Sequence, residues 1–286
     1  MHVPVMPAES LALLAVRPDG IYLDATSGLG GHTALIAQQL ETGTVIANDR
    51  DLLSIEKARQ NTEAWKDRIR FHHGSFCTLA EVIAGGAQGQ FDGILADLGV
   101  SRYQLTDPQR GFSFMSDGPL DMRMDQSTGM TAADLVNYTD EKTLADLIYQ
   151  FGEERRARKV ARAIVRARPI RSTLHLADVV LRVVPRTGHL HPATKTFQAL
   201  RMQINQESGQ LDCLLQIAPD LLKKGGRMVV ISFQSYDDKK VKERFKVLGR
   251  DGIATILTKH PLQPSEEETR RNPAARSAKL RALALN

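Results

Sequence analysis

The chain has few cysteines, few aromatic residues and no long apolar run. Its 286 residues include 2 cysteines, Cys77 and Cys213, which argues against a disulfide scaffold or a cysteine-rich zinc site and suits a reducing compartment. Cys77 lacks a C-x-x-C partner and is predicted to be a buried thiol. No apolar run reaches the ~18 residues that a membrane span needs, and the N-terminus lacks a signal-peptide pattern. These absences predict a soluble cytoplasmic protein without a membrane partner.

The composition is that of an ordinary globular chain with a mildly basic balance. Lysine and arginine number 38 against 33 acidic residues, so the formal net charge is +5. Hydrophobic residues make up 42% and charged residues 25%, close to the globular average. The length corresponds to about two domains. A basic balance is compatible with nucleic acid as a partner but does not establish it.

Short apolar runs alternate with helical patterns over residues 20–100, and this alternation predicts a parallel doubly wound α/β sheet. The alternation stops over 101–130, the pattern is mostly helical over 131–205, and strand character then returns. The simplest organisation is one discontinuous α/β domain, 1–104 with 201–286, and a helical insertion, 105–200. The predicted strands are 21–25, 44–49, 69–72, 91–97, 226–233 and 278–285. The predicted helices of the α/β domain are 33–40, 52–61, 79–84 and 210–222.

A glycine-rich segment, Gly28 to His32, joins the first strand to the first helix, where nucleotide-type cofactors bind in such sheets. Glycine allows close approach of the backbone, and the helix N-terminus offers free N–H groups. Asp49 ends the second strand, where a carboxylate can accept hydrogen bonds from ribose hydroxyls. Thr33 breaks the G-x-G-x-x-G dinucleotide pattern, and no P-loop occurs. This looser pattern is typical of S-adenosylmethionine methyltransferases, while an ordinary tight turn remains the alternative.

Asp97 ends the fourth strand, at the edge of the sheet where ligands usually bind. Methyl transfer mainly requires acceptor and methyl group to be held in line, and Asp97 could orient an exocyclic amine. The alternative is a loop anchor or a helix cap. No histidine spacing indicates a metal site, and a zinc cytosine deaminase would need H-x-E with P-C-x-x-C, which is absent.

A basic stretch from Arg155 to Arg171 contains no acid. Arg155, Lys159 and Arg162 fall at helical spacing, opposite apolar residues such as Val160 and Ile164. Such a stripe can neutralise RNA phosphates, although an isolated charge run is more often a solvated helix face. A membrane-surface helix is a weaker alternative because the apolar side lacks Trp and Phe.

Several motifs together resemble the RsmH (MraW) methyltransferase family over nearly the whole chain. The most specific is the run from Gly118 to Asp125, Gly-Pro-Leu-Asp-Met-Arg-Met-Asp. The other matching stretches include Asp24-Ala25-Thr26, Gly30-Gly31-His32, Asp49-Arg50-Asp51, Asp97-Leu98-Gly99-Val100-Ser101, Gly152-Glu153-Glu154-Arg155 and His191-Pro192-Ala193-Thr194.

The resemblance implies a Rossmann-like class I sheet with an inserted helical domain that helps to hold RNA. It implies transfer of a methyl group from S-adenosylmethionine to the N4 amine of a cytidine in 16S ribosomal RNA, at the decoding centre of the small subunit. Naked RNA or the assembled subunit could be the substrate, and a homodimer stays open. The cofactor contacts carried over from the family are Gly30, Gly31, His32, Asp49, Phe76, Asp97 and Gln104.

Two departures from the family pattern fall near the expected pocket. Arg102-Tyr103 replaces the usual Ser-Pro. In the second departure, Gln234 stands where a histidine is usual and Tyr236 where a leucine is usual. Tyr103 and Tyr236 could stack on a flipped cytosine. Two other functions therefore stay open: a non-catalytic rRNA-binding assembly factor, and a methyltransferase acting on another amine.

Overall fold

The computed structural model describes residues 4–79, 90–186 and 190–286. Within them the chain forms seven strands and twelve helices, besides short 3₁₀ turns. In chain order the elements are α1 (Pro7–Leu14), β1 (Ile21–Asp24), α2 (Gly31–Gln39), β2 (Thr44–Asp49), α3 (Leu52–Asn61), β3 (Ile69–His73), β4 (Phe91–Asp97), α4 (Arg102–Thr106), α5 (Ala132–Tyr138), α6 (Glu141–Gly152), α7 (Ala157–Ala167), α8 (Thr173–Leu181), α9 (Thr194–Ile204), α10 (Glu207–Leu221), β5 (Leu222–Ser232), α11 (Ser235–Arg250), β6 (Ala254–Ile256), α12 (Glu266–Arg271) and β7 (Lys279–Leu285).

The strands form one sheet in the order β3-β2-β1-β4-β5-β7-β6. The first five are parallel, as the strand–helix alternation predicts. The last strand is the exception, because β7 pairs antiparallel with both β5 and β6. Helix α11 is the crossover from β5 to β6, and β7 enters between these two strands from the opposite end. The alternation over residues 20–100 correctly predicts the parallel strands β1 to β4, whereas no direction could be predicted for the last strand.

The predicted element bounds hold best where the apolar pattern is strongest. Strands β2 and β4 and helix α3 begin and end at the predicted residues. Six of the seven residues of β4 are buried, as expected of a central parallel strand covered on both faces. The predicted helix 79–84 lies almost entirely outside the described residues. The pattern did not predict α1, α11 or β6.

Contacts divide the chain into two compact units, residues 1–99 with 209–286 and residues 100–208. The sequence interpretation puts these boundaries after residues 104 and 200. The flanking segments join the second unit because Val100 and Ile204 pack against its apolar core. No helix of the described residues is both long and apolar enough to cross a membrane.

Each unit has its own core. In the first unit the sheet is covered on two faces. One face packs Tyr22 and Val45 with Ile36 of α2, and the other packs Leu23 and Ile94 against α10 and α11. In the second unit, helices α5 to α9 surround one apolar cluster, which includes Leu135, Ile148, Val160, Leu176 and Phe197. The carboxyl ends of the parallel strands thus stand on a rigid base, because the strands behind them are buried.

Candidate functional site

The glycine-rich segment lies between the end of β1 and the start of α2, as predicted. Gly30 precedes the helix in a left-handed conformation with φ of 87°, and Gly28 has φ of 50°. A Cβ on Gly30 would lie 2.7 Å from Cγ2 of Thr62. Only glycine fits at position 30 without displacing a neighbour, so the chain turns tightly into the first turn of α2, the kind of helix start whose backbone N–H groups can bind an anionic or polar ligand.

Asp24 holds this turn from below. Its side chain is fully buried, and it accepts hydrogen bonds from the Thr33 hydroxyl at 2.6 Å and from the Thr26 N–H at 3.2 Å. Burial raises the pKa of the Asp24 carboxyl. Asp24 therefore shapes the loop from inside.

Asp49 lies at the end of β2, where the sequence predicts a ribose-binding carboxylate. Its Oδ2 accepts the Gly28 N–H at 2.8 Å, and its Oδ1 accepts the Asp51 N–H at 2.9 Å. Burial raises the pKa of Asp49 to about 6, opposed by these two backbone N–H groups. Each oxygen retains acceptor capacity for a further hydrogen bond, so the group is held in place and can still accept from a diol.

Asn48 is a site residue that the sequence reasoning missed. Its buried side chain donates to the carbonyl oxygens of Ala25 at 3.1 Å and Gly74 at 3.2 Å, and its Oδ1 lies 2.8 Å from Nδ1 of His72. One amide therefore ties together the segments that follow β1 and β3. The sequence offered one signal, an asparagine at the end of an apolar run directly before Asp49. Its hydrogen-bond partners are distant in sequence and could not be predicted from it.

Phe76 begins a short 3₁₀ turn after β3. Its N–H donates to Oε1 of Gln210 on α10 at 2.9 Å, and its ring packs at the edge of the core. The next residue, Cys77, is bonded to Cys213, which lies on the same helix as Gln210. The prediction that Cys77 is a buried thiol is wrong, because it is exposed and forms a disulfide. The two cysteines are 136 residues apart in sequence, so only the fold brings them together.

Asp97 and His32 form the polar pair nearest the end of β4. The Asp97 N–H donates to Oγ1 of Thr26 at 2.6 Å, and Nε2 of His32 lies 3.7 Å from Oδ2 of Asp97. His32 is buried, and burial favours its neutral form. The Asp97 and Asp24 carboxylates together with the Val5 backbone outweigh this, so the pKa of His32 is raised. Among the described residues, Oδ1 of Asp97 has no hydrogen-bond partner. A buried carboxylate oxygen without a donor is suited to receive one from a ligand.

Gln104 lies in the second unit, at the start of α4. Its Oε1 accepts the Ser101 N–H at 2.9 Å, while Oγ of Ser101 accepts the Gln104 N–H at 3.2 Å. This reciprocal pair is a capping box, which fixes the first turn of the helix. The structure therefore gives Gln104 a local role that the sequence reasoning did not predict. Tyr103, beside it, is half-buried.

Tyr236 lies in the first turn of α11, in the first unit. The ring is half-buried, and Nζ of Lys240 stands 5.4 Å from its centroid. Close by, Asp238 pairs with Arg281 at 2.6 Å and with Lys279 at 3.6 Å, which anchors the helix to β7. The helix that follows the departure at 234–236 is therefore anchored by ion pairs in its first turn.

The basic stretch forms α7 only in part. The helix begins at Ala157, so Arg155 precedes it, whereas Lys159 and Arg162 are exposed on it. Nε of Arg162 lies 3.2 Å from Oε1 of Glu141 on α6, so part of this charge is compensated locally. The opposite side packs Val160 into the core of the insertion.

Known proteins resemble this chain in sequence and in fold. The model of the MraW methylase family matches residues 1–285. A protein of Solibacter usitatus named ribosomal RNA small subunit methyltransferase H is 72% identical over 99% of both chains. A protein of the same name from Acidobacterium capsulatum is 50% identical, over 98% of this chain and 97% of its own.

Among solved structures, a candidate rRNA-methylase from Clostridium thermocellum covers 100% of both chains with a TM-score of 0.52 at 12% identity, which shows a shared fold. The predicted fold class is confirmed: the sheet is that of class I S-adenosylmethionine-dependent methyltransferases, with a helical insertion. S-adenosylmethionine, the predicted cofactor, is the methyl donor that this family and fold use. The chain belongs to the MraW methylase family.

Proposed function

We propose that the chain transfers a methyl group from S-adenosylmethionine to the N4 amine of a cytidine in 16S ribosomal RNA, at the decoding centre of the small subunit. The names of its relatives support an rRNA of the small subunit as the substrate. The observation that carries the choice of an amine is the free Oδ1 of Asp97, at the ligand edge of the sheet.

The cofactor-binding residues we propose fit an adenosine-containing ligand. The tight turn and the first turn of α2 contain Gly30, Gly31 and His32. Polar groups of the ligand would lie against the backbone of these residues. Asp49 would accept from the ribose hydroxyls and Phe76 would lie beside the adenine. Asp97 and Gln104 complete the proposed set.

When bound, S-adenosylmethionine supplies an electrophilic methyl group on a sulfonium. The task left to the chain is to orient the acceptor. An exocyclic amine has N–H groups that Oδ1 of Asp97 can accept, which turns the nitrogen lone pair away from the carboxylate and fixes its direction. Asp97 itself is held by its backbone bond to Thr26 and by the proximity of His32. We assign the catalytic positioning role to Asp97.

A cytidine could instead be methylated at a ring carbon, but that chemistry needs a nucleophile to activate the ring, typically a cysteine thiolate. The chain has 2 cysteines, and they are bonded to each other. This favours direct transfer to the amine.

The insertion, predicted as residues 105–200, is proposed to bind the RNA substrate. Arg155, Lys159 and Arg162 would contact phosphates, because they are exposed cations on or beside one helix. Tyr103 and Tyr236 are half-buried aromatic rings that could stack on the flipped cytosine. We place the protein in the cytoplasm, where ribosomal RNA is its partner, as a monomer or a homodimer.

The test is nucleoside mass spectrometry after incubating unmodified small ribosomal subunits, or naked 16S RNA, with the protein and isotope-labelled S-adenosylmethionine. We expect labelled N4-methylcytidine. Asp97→Asn should lower its yield at least tenfold, whereas Asp220→Asn, on an exposed position of α10, should leave it unchanged. Cofactor binding without any labelled nucleoside would contradict the proposal and favour a non-catalytic assembly factor. Label in a different nucleoside or in protein would assign another amine.

A further inference from the structure

The most exposed tyrosine of the described chain lies on an unusually well-fixed piece of backbone. Tyr138 ends α5, and 84% of its surface is accessible to solvent. A large aromatic ring at such exposure contributes little to folding, because it removes little apolar area from water.

Four hydrogen bonds clamp the residues around Tyr138 to the segment that follows α7. Nε of Arg168 donates to the carbonyl oxygen of Val136 at 2.8 Å, and Nη2 of Arg168 donates to the carbonyl oxygen of Thr139. The Asn137 side chain donates to the Ile170 carbonyl at 3.0 Å and accepts the Ile170 N–H at 2.7 Å. The ring is thus presented from a rigid base.

The clamping segment is also basic. Arg166 lies in the last turn of α7 and Arg171 directly follows Ile170; both are exposed. We call Tyr138, Arg166, Arg168 and Arg171 the Tyr138 platform. No acid occurs in the segment 155–171 that carries its arginines.

Two acids follow the platform in sequence, and both are engaged. Asp140 caps α6 by accepting the Thr143 N–H at 2.9 Å, and Glu141 pairs with Arg162. A third acid, Asp117, accepts the Leu174 N–H at 3.2 Å. Because Arg168 already donates to backbone carbonyls, Arg166 and Arg171 are the platform arginines that we assign to an anionic ligand.

We propose that the Tyr138 platform binds an unpaired nucleotide of the RNA substrate, with the base stacked on the Tyr138 ring and the flanking phosphates beside Arg166 and Arg171. An exposed aromatic ring whose backbone is hydrogen-bonded to a basic segment combines the two features that bind single-stranded nucleic acid, because every base has a stacking face and every linkage carries a charge. A double helix would not expose a base to the ring. This inference rests on the proposed function, since it takes RNA to be the substrate.

The test uses the full chain and a fluorescently labelled 12-nucleotide uridine RNA, with an abasic RNA of the same length as the second probe. Tyr138→Ala should weaken binding of the uridine RNA by roughly 5- to 150-fold, the effect of one base–aromatic stack. It should leave binding of the abasic RNA unchanged, and Tyr138→Phe should retain wild-type affinity for both. Tyr149→Ala is the matched control: Tyr149 is 64% exposed on α6, but its neighbours at helical spacing are Asp146 and Glu153.

Charge is tested separately. Arg166→Ala with Arg171→Ala should lower the slope of log affinity against log salt by about 1.4, or ~0.7 for each phosphate contact on a single strand. The stacking role would be overturned if Tyr138→Ala lowered the affinity for the uridine and abasic RNAs equally, or lowered neither. Normal RNA affinity with impaired methylation of assembled subunits would also overturn it and assign Tyr138 to a protein contact. If Tyr138→Ala does not show the predicted loss of RNA binding while the wild type produces the methylated nucleoside, the platform proposal is wrong and the proposed function stands.

Discussion

Replacing both cysteines, Cys77→Ser with Cys213→Ser, should destabilise the first unit strongly. The disulfide joins the segment before the insertion to the segment after it, so it closes a loop that contains the whole second unit. For a separation of 136 residues, the chain-entropy model gives about 5 kcal/mol from the restriction of the unfolded chain. Engineered and native disulfides usually contribute less than this ceiling, so we expect a loss of about 2–5 kcal/mol.

The assay is urea unfolding of the oxidised wild type, the double variant and the wild type in a dithiol reductant. The reduced wild type should unfold with the double variant, because both lack the same constraint. Thiol titration of the native wild type should find no reactive thiol, and both should appear after reduction. Two titratable thiols in the untreated native protein, or equal unfolding free energies for all three samples, would refute the reasoning.

The remaining predictions concern the site and the RNA surface. Gly30→Ala should lower the free energy of unfolding in urea by about 1–3 kcal/mol because residue 30 has a left-handed backbone, and the added Cβ would also clash with Thr62. The control Gly209→Ala adds its Cβ in open space on a helix and should be neutral or stabilising by up to ~1 kcal/mol. Asp49→Ala should weaken S-adenosylmethionine binding in calorimetry, and unchanged affinity would remove the ribose assignment. In the wild type this affinity should fall as the pH drops through about 6, the raised pKa of Asp49, because protonation removes an acceptor; Asp49→Asn should flatten that dependence. Reversing the exposed charges of Arg155, Lys159 and Arg162 should lower RNA affinity and reduce the slope of log affinity against log salt by up to ~2. Intact binding would leave the helix as a solvated face.

Much of the α/β unit could be predicted because its signals are local. A parallel strand buried on both faces is a nearly continuous apolar run, so β2 and β4 could be bounded to the residue from sequence. The polar residue that ends each run, Asp49 or Asp97, then lies at the ligand edge by the topology of parallel sheets. The glycine turn was likewise readable, since Gly30 stands where a left-handed residue is required.

Features that depend on pairing across the chain escaped prediction. The antiparallel entry of β7 between β5 and β6 leaves no trace in the apolar pattern, because period and composition do not encode a neighbour's direction. The amide of Asn48 reads as an ordinary polar residue until its partners at Ala25 and Gly74 are known.

By itself the sequence determined the class of sheet, the residues at which β2 and β4 end and, through its motifs, the family. Those properties follow from periodicity and from residue types at short spacing. Only the tertiary structure decided that Cys77 meets Cys213, that His32 stands beside Asp97 and that Arg168 clamps the backbone around Tyr138. Each of these contacts joins residues that are dozens of positions apart, and the energy that selects them arises from packing of the whole core, which no local pattern contains.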